Sequence, residues 1–319
     1  MTHLSPCSVA VLMGGTSAER AVSLNTGSQV AGALEQRGHR VTCFDTADLG
    51  FIERLRAGAF DVAFISVHGR GGEDGTIQGL LEILGVPYVG SGVLASALAM
   101  DKVASKAIFQ EAAGLKTPAS AALRAGAGYD TAAIAAQLGS KVVVKPVREG
   151  SSVGMSIVHG ESELAPAIEL AFRHDDVVLV EAFVAGAEVT VGVIGNDNLM
   201  ALPTLEVVPE HEFYDYESKY LPGMSRHLVP AELAGTPEDE KDAVRIECQR
   251  VAIAAHRALG CRGMSRADVI VTREGEIYLL EVNTIPGMTS TSLLPDAARA
   301  AGIEFPQLCE RLVELALEK

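Results

Sequence analysis

The sequence predicts an α/β protein whose N-terminal part is built on a doubly wound parallel sheet. A wholly apolar run at residues 9–13 and two largely apolar runs at residues 41–44 and 62–67 have the length and hydrophobicity of strands in a buried parallel sheet. Each run is followed by a segment that we predict to be helical, at residues 21–36, 49–57 and 76–84. Strands that alternate with helices imply a parallel sheet, and ligand groups then lie at the C-terminal ends of the strands.

The length and net charge of the chain limit the number of domains and the kinds of partner that we expect. The chain has 319 residues, of which 48% are hydrophobic, and this is enough for two or three domains with substantial cores. Its formal net charge of −15 disfavours nucleic acid and anionic membranes as partners. An anionic ligand would need a local concentration of lysine and arginine.

Cysteine usage and hydropathy point to a cellular compartment. The five cysteines are scattered, and none forms a C-x-x-C pair, which favours free thiols in a reducing cytoplasm over disulfides or a zinc site. No run approaches the roughly 18 apolar residues of a membrane span. We therefore expect a cytoplasmic protein.

The first predicted strand ends in a glycine turn. Gly14 and Gly15 fit either a dinucleotide-binding turn or a merely tight one, and the absence of G-x-G-x-x-G makes a nicotinamide dehydrogenase a remote alternative. Glu19 begins the following helix beside the sheet edge, where its carboxylate could receive an ammonium group.

A second glycine-rich turn follows the third predicted strand. Residues 68–75 contain four glycines, which let the backbone turn sharply and approach a ligand closely. A lone histidine is more often structural than catalytic. His68, however, stands at a strand end in this loop, where it could face a substrate carboxylate.

The middle of the chain contains a candidate phosphate loop. We predict one helix at 93–114, a new domain from Pro118, and a Gly/Ser-rich loop at 148–154 between strands at 141–146 and 155–158. Backbone N–H groups of such a loop, with Lys145 at its base, can neutralise a polyphosphate. The Walker pattern is missing, and a mobile surface hairpin is the alternative.

The predicted strand at 177–184 contains an acid, Glu181, near its end. Backbone groups just past such a strand can bind an adenine edge, and Glu188 could accept hydrogen bonds from ribose hydroxyls. The sequence leaves open whether Glu181 only caps the strand.

Residues 213–220 hold three of the six tyrosines and show neither helical nor strand periodicity. An aromatic loop of this kind is typical of a lid that excludes water from a hydrolysable intermediate. The alternatives are a packing loop and an interface patch.

A predicted β-hairpin lies near the C-terminal end. Apolar runs at 267–271 and 277–280 flank a turn-forming segment. A two-residue turn at 274–275 sets Asp268 opposite Glu281, and the same register sets Arg266 opposite Asn283.

This register gathers oxygen ligands on one face of the hairpin, because side chains alternate along a strand. Asp268 and Glu281 repel each other unless a cation lies between them, and oxygen-only ligands suit Mg²⁺. An ordinary polar face is the alternative, and it rarely sets Asp against Glu with no Lys nearby.

Several motifs together resemble those of D-alanine–D-alanine ligases. Residues 68–79 resemble the first signature of that family, and residues 266–268 with 281–287 resemble the second. Similarity at matching order and spacing extends over nearly the whole chain and includes residues 14–20, 149–154 and 214–220. The resemblance implies an ATP-grasp fold with an N-terminal Rossmann-like domain, and ATP held between the two later domains.

The resemblance also implies an activity and a domain organisation. The activity is ATP-dependent ligation of two D-alanine molecules through D-alanyl phosphate, with release of ADP and phosphate, for peptidoglycan precursor synthesis. It implies two Mg²⁺ or Mn²⁺ ions, leaves a monovalent cation open, and suggests a homodimer. The expected domains are an N-terminal substrate domain, a central ATP-grasp subdomain and a C-terminal ATP-grasp subdomain at 1–100, 101–184 and 185–319.

By matching position, the resemblance assigns nucleotide and metal ligands. Lys102 and Lys145 would contact phosphates under the loop that carries Ser152, and Glu188 would bind the ribose. The adenosine would lie against Glu181, Ala182, Phe183 and Val184. The metal ligands would be Asp268, Glu281 and Asn283.

The same resemblance assigns the amino-acid subsites. Glu19 would hold the ammonium of the first D-alanine, with His68 near its carboxylate. Ser151 and Tyr220 would hydrogen-bond with Glu19 across the closed lid, which also carries the substrate-binding Lys219. The second D-alanine and the oxyanion would be bound by Ser292, Arg266 and the Gly287 backbone N–H.

Three departures from the family pattern, Met264, Ile285 and Thr291, affect the pocket lining and not the proposed ligands. A related ligase with another amino acid or D-lactate as second substrate is the nearest alternative, and Tyr220 favours the dipeptide. A nucleotide-binding regulatory protein without catalysis is a further alternative, but it should have lost Asp268, Glu281 or Arg266.

Overall fold

The structure, a computed structural model, describes residues 4–209 and 225–318. Its N-terminal part holds a parallel three-stranded sheet of order β2-β1-β3, which confirms the predicted parallel arrangement. The strands are β1 (Ser8–Met13), β2 (Arg40–Asp45) and β3 (Val62–Ile65). The helices that connect and follow them are α1 (Arg20–Gln36), α2 (Phe51–Ala57) and α3 (Thr76–Leu84).

The single helix predicted at 93–114 is wrong. The chain forms α4 (Val93–Met100) and α5 (Lys102–Glu111), which are separated at Asp101. Asp101 is extended, and its carboxylate accepts hydrogen bonds from the backbone N–H groups of Val103 and Ala104 at 3.1 and 3.0 Å. It therefore acts as an N-cap, and Lys102 becomes the first residue of α5.

The middle of the chain forms a four-stranded antiparallel sheet of order β4-β7-β5-β6. Its strands are β4 (Ser120–Arg124), β5 (Val142–Pro146), β6 (Ser156–Val158) and β7 (Val177–Ala182). Helices α6 (Thr131–Leu138) and α7 (Glu161–Phe172) pack on one face through Ile134, Leu164 and Ile168. Neither β4 nor α7 was predicted from the sequence.

A six-stranded sheet follows, in the order β11-β10-β8-β12-β13, with β9 paired to β8. Its strands are β8 (Ala187–Gly195), β9 (Met200–Ala201), β10 (Leu205–Pro209), β11 (Ser225–Leu228), β12 (Gly263–Val271) and β13 (Ile277–Asn283). Helix α8 (Lys241–Leu259) covers one face and buries alternate residues such as Val189, Val191 and Val193. The opposite face carries the polar side chains of the site.

The last two helices return to the N-terminal sheet. Helices α9 (Leu293–Ala300) and α10 (Phe305–Leu317) share a hydrophobic core with β1 and α1. Arg37 Nε donates a hydrogen bond to Glu310 Oε2 at 2.8 Å, joining α10 to the end of α1. Among the described residues, no helix is both long and apolar enough to cross a membrane.

The predicted hairpin pairs Asp268 with Glu281 and Arg266 with Asn283, but its two-residue turn is wrong. The turn has three residues, 273–275, and is closed by a hydrogen bond from Thr272 N to Glu276 O at 2.9 Å. A register shift follows Asp268, so that Leu280 is an extra residue in β13. The longer turn and this β-bulge each displace the register by one residue, and the two displacements cancel.

Candidate active site

A cavity of about 460 Å³ lies between the four-stranded and six-stranded sheets, within the usual range for small-molecule sites. Asp268 and Glu281 line it on the hairpin side, and Ser151 on the loop side. The structure also brings together here every residue predicted to contact ATP: Lys102, Lys145, Ser152, Glu181, Ala182, Phe183, Val184 and Glu188.

Strand alternation explains why these side chains reach the cavity. On β5, Val142 and Val144 enter the core beneath the helices, so Val143 and Lys145 face the opposite way and line the cavity. The bulge on β13 breaks this alternation, and Leu280 and Glu281 both line the cavity. A bulge is a common device for redirecting a side chain beside an active site.

Glu181 lies at the centre of a buried ion cluster. Lys145 Nζ is 2.5 Å from its Oε2, and Lys106 Nζ hydrogen-bonds to its Oε1. Burial alone would raise the pKa of Glu181, but the charges of Lys145 and Lys106 outweigh burial and lower it. Lys106 was not predicted from the sequence, where the one indication of its role was its position four residues after Lys102, one turn along α5.

Lys102 connects the phosphate loop to the hairpin. Its ammonium donates a hydrogen bond to Glu149 O at 2.9 Å and lies 3.4 Å from Glu281 Oε2. The hairpin sequence itself contains no lysine, and the tertiary structure brings Lys102 from α5 beside the facing carboxylates. Both loop serines, Ser151 and Ser152, have left-handed backbone conformations, with φ of 51° and 59°.

The phosphate loop is anchored at its start by Asp175. The Arg148 backbone N–H donates to Asp175 Oδ2 at 2.7 Å, and the Arg148 guanidinium donates to Oδ1 at 2.5 Å. Burial alone would raise the pKa of Asp175, but the hydrogen bonds from Arg148 outweigh it and bring the pKa to about 2. Asp175 was not predicted as a site residue, since nothing in the local sequence around it relates it to the loop.

On the hairpin, Arg266, Asp268 and Asn283 form one hydrogen-bonded group. The Arg266 guanidinium donates to both carboxylate oxygens of Asp268 at 2.8 Å, and Asn283 Nδ2 donates to Asp268 Oδ2 at 3.1 Å. Within residues 4–209 and 225–318, no group of three His, Cys, Asp or Glu side chains has metal-site geometry. The candidate donors are thus two carboxylates and one amide oxygen, which are hard ligands of the kind that Mg²⁺ prefers.

Glu19, His68 and Ser151 meet at the edge of the N-terminal sheet. Ser151 Oγ donates a hydrogen bond to Glu19 Oε1, although the two residues are 132 positions apart. A Cβ on Gly69 would come within 2.7 Å of Glu19 Oε2, and Gly69 has a φ of +72°. Glycine is therefore required for the loop to approach Glu19 so closely.

His68 is buried and held at both ring nitrogens. Nδ1 is 3.0 Å from Glu73 Oε1, and Nε2 is 3.2 Å from Thr26 Oγ1. Burial acts to lower the pKa of His68, but the hydrogen bond and charge of Glu73, together with the charge of Glu19, raise it. A raised pKa favours the imidazolium, which is the form suited to lie near a carboxylate.

Gly287 and Ser292 are close neighbours before α9. A Cβ on Gly287 would lie 3.0 Å from Ser292 Oγ, and the Thr289 backbone N–H donates to that oxygen at 3.1 Å. Ser292 is the N-cap residue of α9. The predicted lid at 213–220, including Lys219 and Tyr220, lies outside the described residues.

Comparison with solved structures identifies the class of protein as an ATP-grasp enzyme. The D-alanine–D-alanine ligase of Bacillus anthracis, solved in complex with ATP, matches with a TM-score of 0.83 and 33% identity over 98% of this chain and 97% of that one. The VanG D-Ala:D-Ser ligase of Enterococcus faecalis matches with a TM-score of 0.81 and 31% identity over 98% of this chain and 100% of that one.

Sequence comparison identifies the family. Residues 109–314 match the family described as D-ala D-ala ligase C-terminus, and residues 52–91 match the corresponding N-terminus. The D-alanine–D-alanine ligase of Pelotomaculum thermopropionicum is 50% identical over 316 residues, 97% of this chain and 96% of its own length. That of Syntrophotalea carbinolica is 52% identical over 306 residues, 96% and 94% of the two chains. The chain belongs to the D-alanine–D-alanine ligase family, which confirms the resemblance.

Proposed function

We propose that the protein joins two D-alanine molecules into D-alanyl-D-alanine, with cleavage of ATP to ADP and phosphate, for peptidoglycan precursor synthesis. One observation carries the proposal. The cavity that gathers the candidate ATP ligands is continuous in its lining with Asp268, Glu281 and Ser151, and Ser151 contacts Glu19. Through Ser151, the lining of the cavity therefore connects the candidate nucleotide site to the candidate amino-acid site. Relatives that are about 50% identical over nearly the whole chain support this function.

The first half-reaction activates a carboxylate, which is a poor electrophile. Transfer of the γ-phosphoryl group of ATP to the first D-alanine carboxylate gives D-alanyl phosphate and ADP. Phosphoryl transfer depends on positioning and charge neutralisation more than on a protein nucleophile. Lys102 and Lys145 would neutralise the phosphates from below, and the backbone N–H groups around Ser152 would cover them.

Asp268, Glu281 and Asn283 would hold two divalent ions, Mg²⁺ or Mn²⁺. Bound there, such ions would screen the negative charge of the phosphates as the attacking carboxylate approaches. Asp268 accepts two hydrogen bonds from Arg266, and this pairing orients its carboxylate in the cavity wall.

We assign the binding of the first D-alanine to the edge of the N-terminal sheet, where Glu19 and His68 lie. Glu19 would accept its ammonium, and the buried His68 would lie near its carboxylate as an imidazolium. The hydrogen bond from Ser151 to Glu19 orients the acceptor. Tyr220 of the lid would extend this hydrogen-bonded pair, and Lys219 would contact substrate from the same segment.

In the second half-reaction, the amine of the second D-alanine attacks the acyl phosphate carbonyl, and phosphate leaves. The tetrahedral oxyanion needs preorganised donors, for which Arg266 and the Gly287 backbone N–H are the candidates, each worth on the order of 3 kcal/mol when well aimed. Ser292, next to Gly287, would bind the carboxylate of the second D-alanine.

We also infer the finer organisation. We propose three domains at 1–100, 101–184 and 185–319, one for each sheet, although α9 and α10 pack back onto the first. We further propose that the protein is a homodimer in the cytoplasm and that it requires a monovalent cation. Size-exclusion chromatography with light scattering tests the dimer, and ADP formation in K⁺ against Na⁺ tests the cation requirement.

A second candidate is ligation of D-alanine to a different second substrate. The similarity to the D-Ala:D-Ser ligase VanG over 98% of this chain and 100% of that one favours it, because the two activities share one fold. The difference would lie at the second subsite, where this chain places Gly287 and Ser292.

Product identity tests both candidates. Purified protein is incubated with ATP and Mg²⁺, and with D-alanine alone, D-alanine plus D-serine, D-alanine plus D-lactate, or L-alanine. ADP release and product masses are measured. We expect D-alanyl-D-alanine from D-alanine alone and as the main product in the mixtures. A protein that binds ATP but forms no ADP in response to D-alanine would refute the proposal, and a dominant mixed product would establish the second candidate.

A further inference from the structure

Lys106 is a buried lysine that stands behind the wall of the cavity. It lies on α5 one turn after Lys102, is 4% exposed, and does not line the cavity. Its ammonium donates hydrogen bonds to Pro118 O, at 2.9 Å, and to Glu181 Oε1. Both acceptor residues do line the cavity, so Lys106 touches the nucleotide site only through them.

The two lysines that contact Glu181 have different surroundings. Lys145 contacts Oε2 and lines the cavity, so its ammonium is able to turn toward a bound phosphate or purine. Lys106 contacts Oε1 and is fixed by two protein acceptors. When a nucleotide draws Lys145 away, Lys106 stays and supplies counter-charge to Glu181.

Glu181 needs that counter-charge, because it is only 2% exposed. An ionised carboxylate removed from water is costly unless it is paired. Without a cation it would take up a proton or turn away from the cavity, and either change alters what it can bind. An ionised carboxylate only accepts hydrogen bonds, whereas a protonated one also donates.

We propose that Lys106 is a positioning residue that keeps Glu181 ionised and directed into the cavity, and that it thereby sets the preference for adenine over 6-oxopurines. The exocyclic amine of adenine donates to a carboxylate, whereas the carbonyl of hypoxanthine or guanine repels it. The inference rests on the proposed function only in that a purine nucleotide occupies the cavity.

The experiment compares ATP with inosine triphosphate, which replaces the 6-amino group by a carbonyl. Dissociation constants for both are measured by titration calorimetry without D-alanine, for wild type, Lys106→Met and the control Lys116→Met. Lys116 forms an exposed ion pair with Glu276 and does not line the cavity. The control thus removes a lysine–glutamate pair that has no contact with the cavity wall.

We expect the wild type to prefer ATP by about 10-fold or more. Lys106→Met should weaken ATP binding by about 10- to 100-fold and leave inosine triphosphate binding within about 3-fold, because a hydrogen bond to a charged group is lost. At saturating ATP, kcat should stay within about 3-fold. Lys116→Met should match the wild type. If Lys106→Met does not fold, Lys106→Gln, which keeps a donor for Pro118 O, carries the same expectations.

A double variant tests whether Lys106 acts through Glu181. Lys106→Met combined with Glu181→Gln should bind ATP no more weakly than Glu181→Gln alone, within about 3-fold. Equal losses for ATP and inosine triphosphate, an unchanged ATP affinity, or additive effects in the double variant would overturn the inference. A wild type that binds ATP selectively but does not ligate D-alanine would refute the proposed function and leave this inference standing.

Discussion

Ser151 donates a hydrogen bond from its Oγ to Glu19 Oε1, and this bond joins the phosphate loop to the start of α1. Ser151 lines the cavity that we propose for the nucleotide, whereas Glu19 is the candidate ligand for the substrate ammonium. The position of the loop and the orientation of the Glu19 carboxylate are therefore linked by this hydrogen bond. Removal of the Ser151 hydroxyl should therefore lower kcat/KM for D-alanine more than it weakens the affinity for ATP.

Ser151→Gly is expected to lower kcat/KM for D-alanine by about 10-fold or more while changing the ATP dissociation constant by less than about 3-fold. Glycine suits the left-handed backbone at this position, where φ is 51°, so only the hydroxyl is lost and a charge-assisted hydrogen bond with it. Steady-state kinetics and calorimetry measure the two quantities. Ser152→Gly, at φ of 59°, makes the same backbone change and should act on ATP affinity instead. An ATP-specific defect in Ser151→Gly would contradict the coupling.

Glu281→Gln is expected to reduce D-alanine-dependent ADP formation by about 100-fold or more, because an amide is a weaker ligand for a divalent cation than a carboxylate. Paramagnetic resonance of Mn²⁺ in the presence of ATP should show weaker metal binding, and far-UV circular dichroism should be unchanged. Glu276→Gln, on the exposed end of the same hairpin, is the matched control. Near-normal activity of Glu281→Gln at limiting Mg²⁺ would show that the metal assignment is wrong.

Asp175→Asn is expected to lower the free energy of unfolding in a pH-dependent way. The pKa of Asp175 is about 2 in the folded protein against an ordinary value of 3.8. Because the folded-state pKa is lowered, its stabilisation is present above about pH 4 and is lost as pH falls from there toward 2. We expect a loss of about 2 kcal/mol at pH 7 and a smaller loss at pH 3.

Urea unfolding at several pH values measures this difference. Asp48→Asn serves as the control, since the side chain of Asp48 is 60% exposed and pairs with Arg54 instead of Arg148, and its removal should leave the free energy of unfolding almost unchanged. A destabilisation of Asp175→Asn that is equal at pH 7 and pH 3 would show that its charge is not what anchors the loop.

Gly287→Ala is expected to raise KM for the second D-alanine by several-fold, on the order of 1 kcal/mol. The added Cβ would lie 3.0 Å from Ser292 Oγ, so that the serine must shift. Gly32→Ala is the control, since a Cβ there meets nothing within 4 Å on α1 and should leave the kinetics unchanged. Initial rates over a wide range of D-alanine concentrations resolve the two binding steps. If the KM for the second D-alanine is unchanged in Gly287→Ala, Gly287 does not position Ser292.

Apolar runs were sufficient to predict β1, β2 and β3. The strands β1 and β3 are buried almost throughout, whereas β2 is an edge strand that leaves Arg40, Thr42 and Cys43 exposed. The break between α4 and α5 was not predicted, since apolar spacing continues through Asp101 and only the capping hydrogen bonds end the helix there. The hairpin partners of Asp268 and Arg266 were predicted correctly although the turn was not, because the bulge at Leu280 offset the longer turn.

By itself the sequence determined the order of the motifs, the parallel N-terminal sheet, and the residue types of a phosphate loop and an oxygen-rich hairpin, because these depend on local periodicity and spacing. Only the tertiary structure decided which charges meet. Lys106 reaches Glu181 across 75 positions, and Arg148 reaches Asp175 across 27. Such pairs form because burial makes an unpaired charge costly, and burial is a property of packed sheets and helices that no local pattern contains.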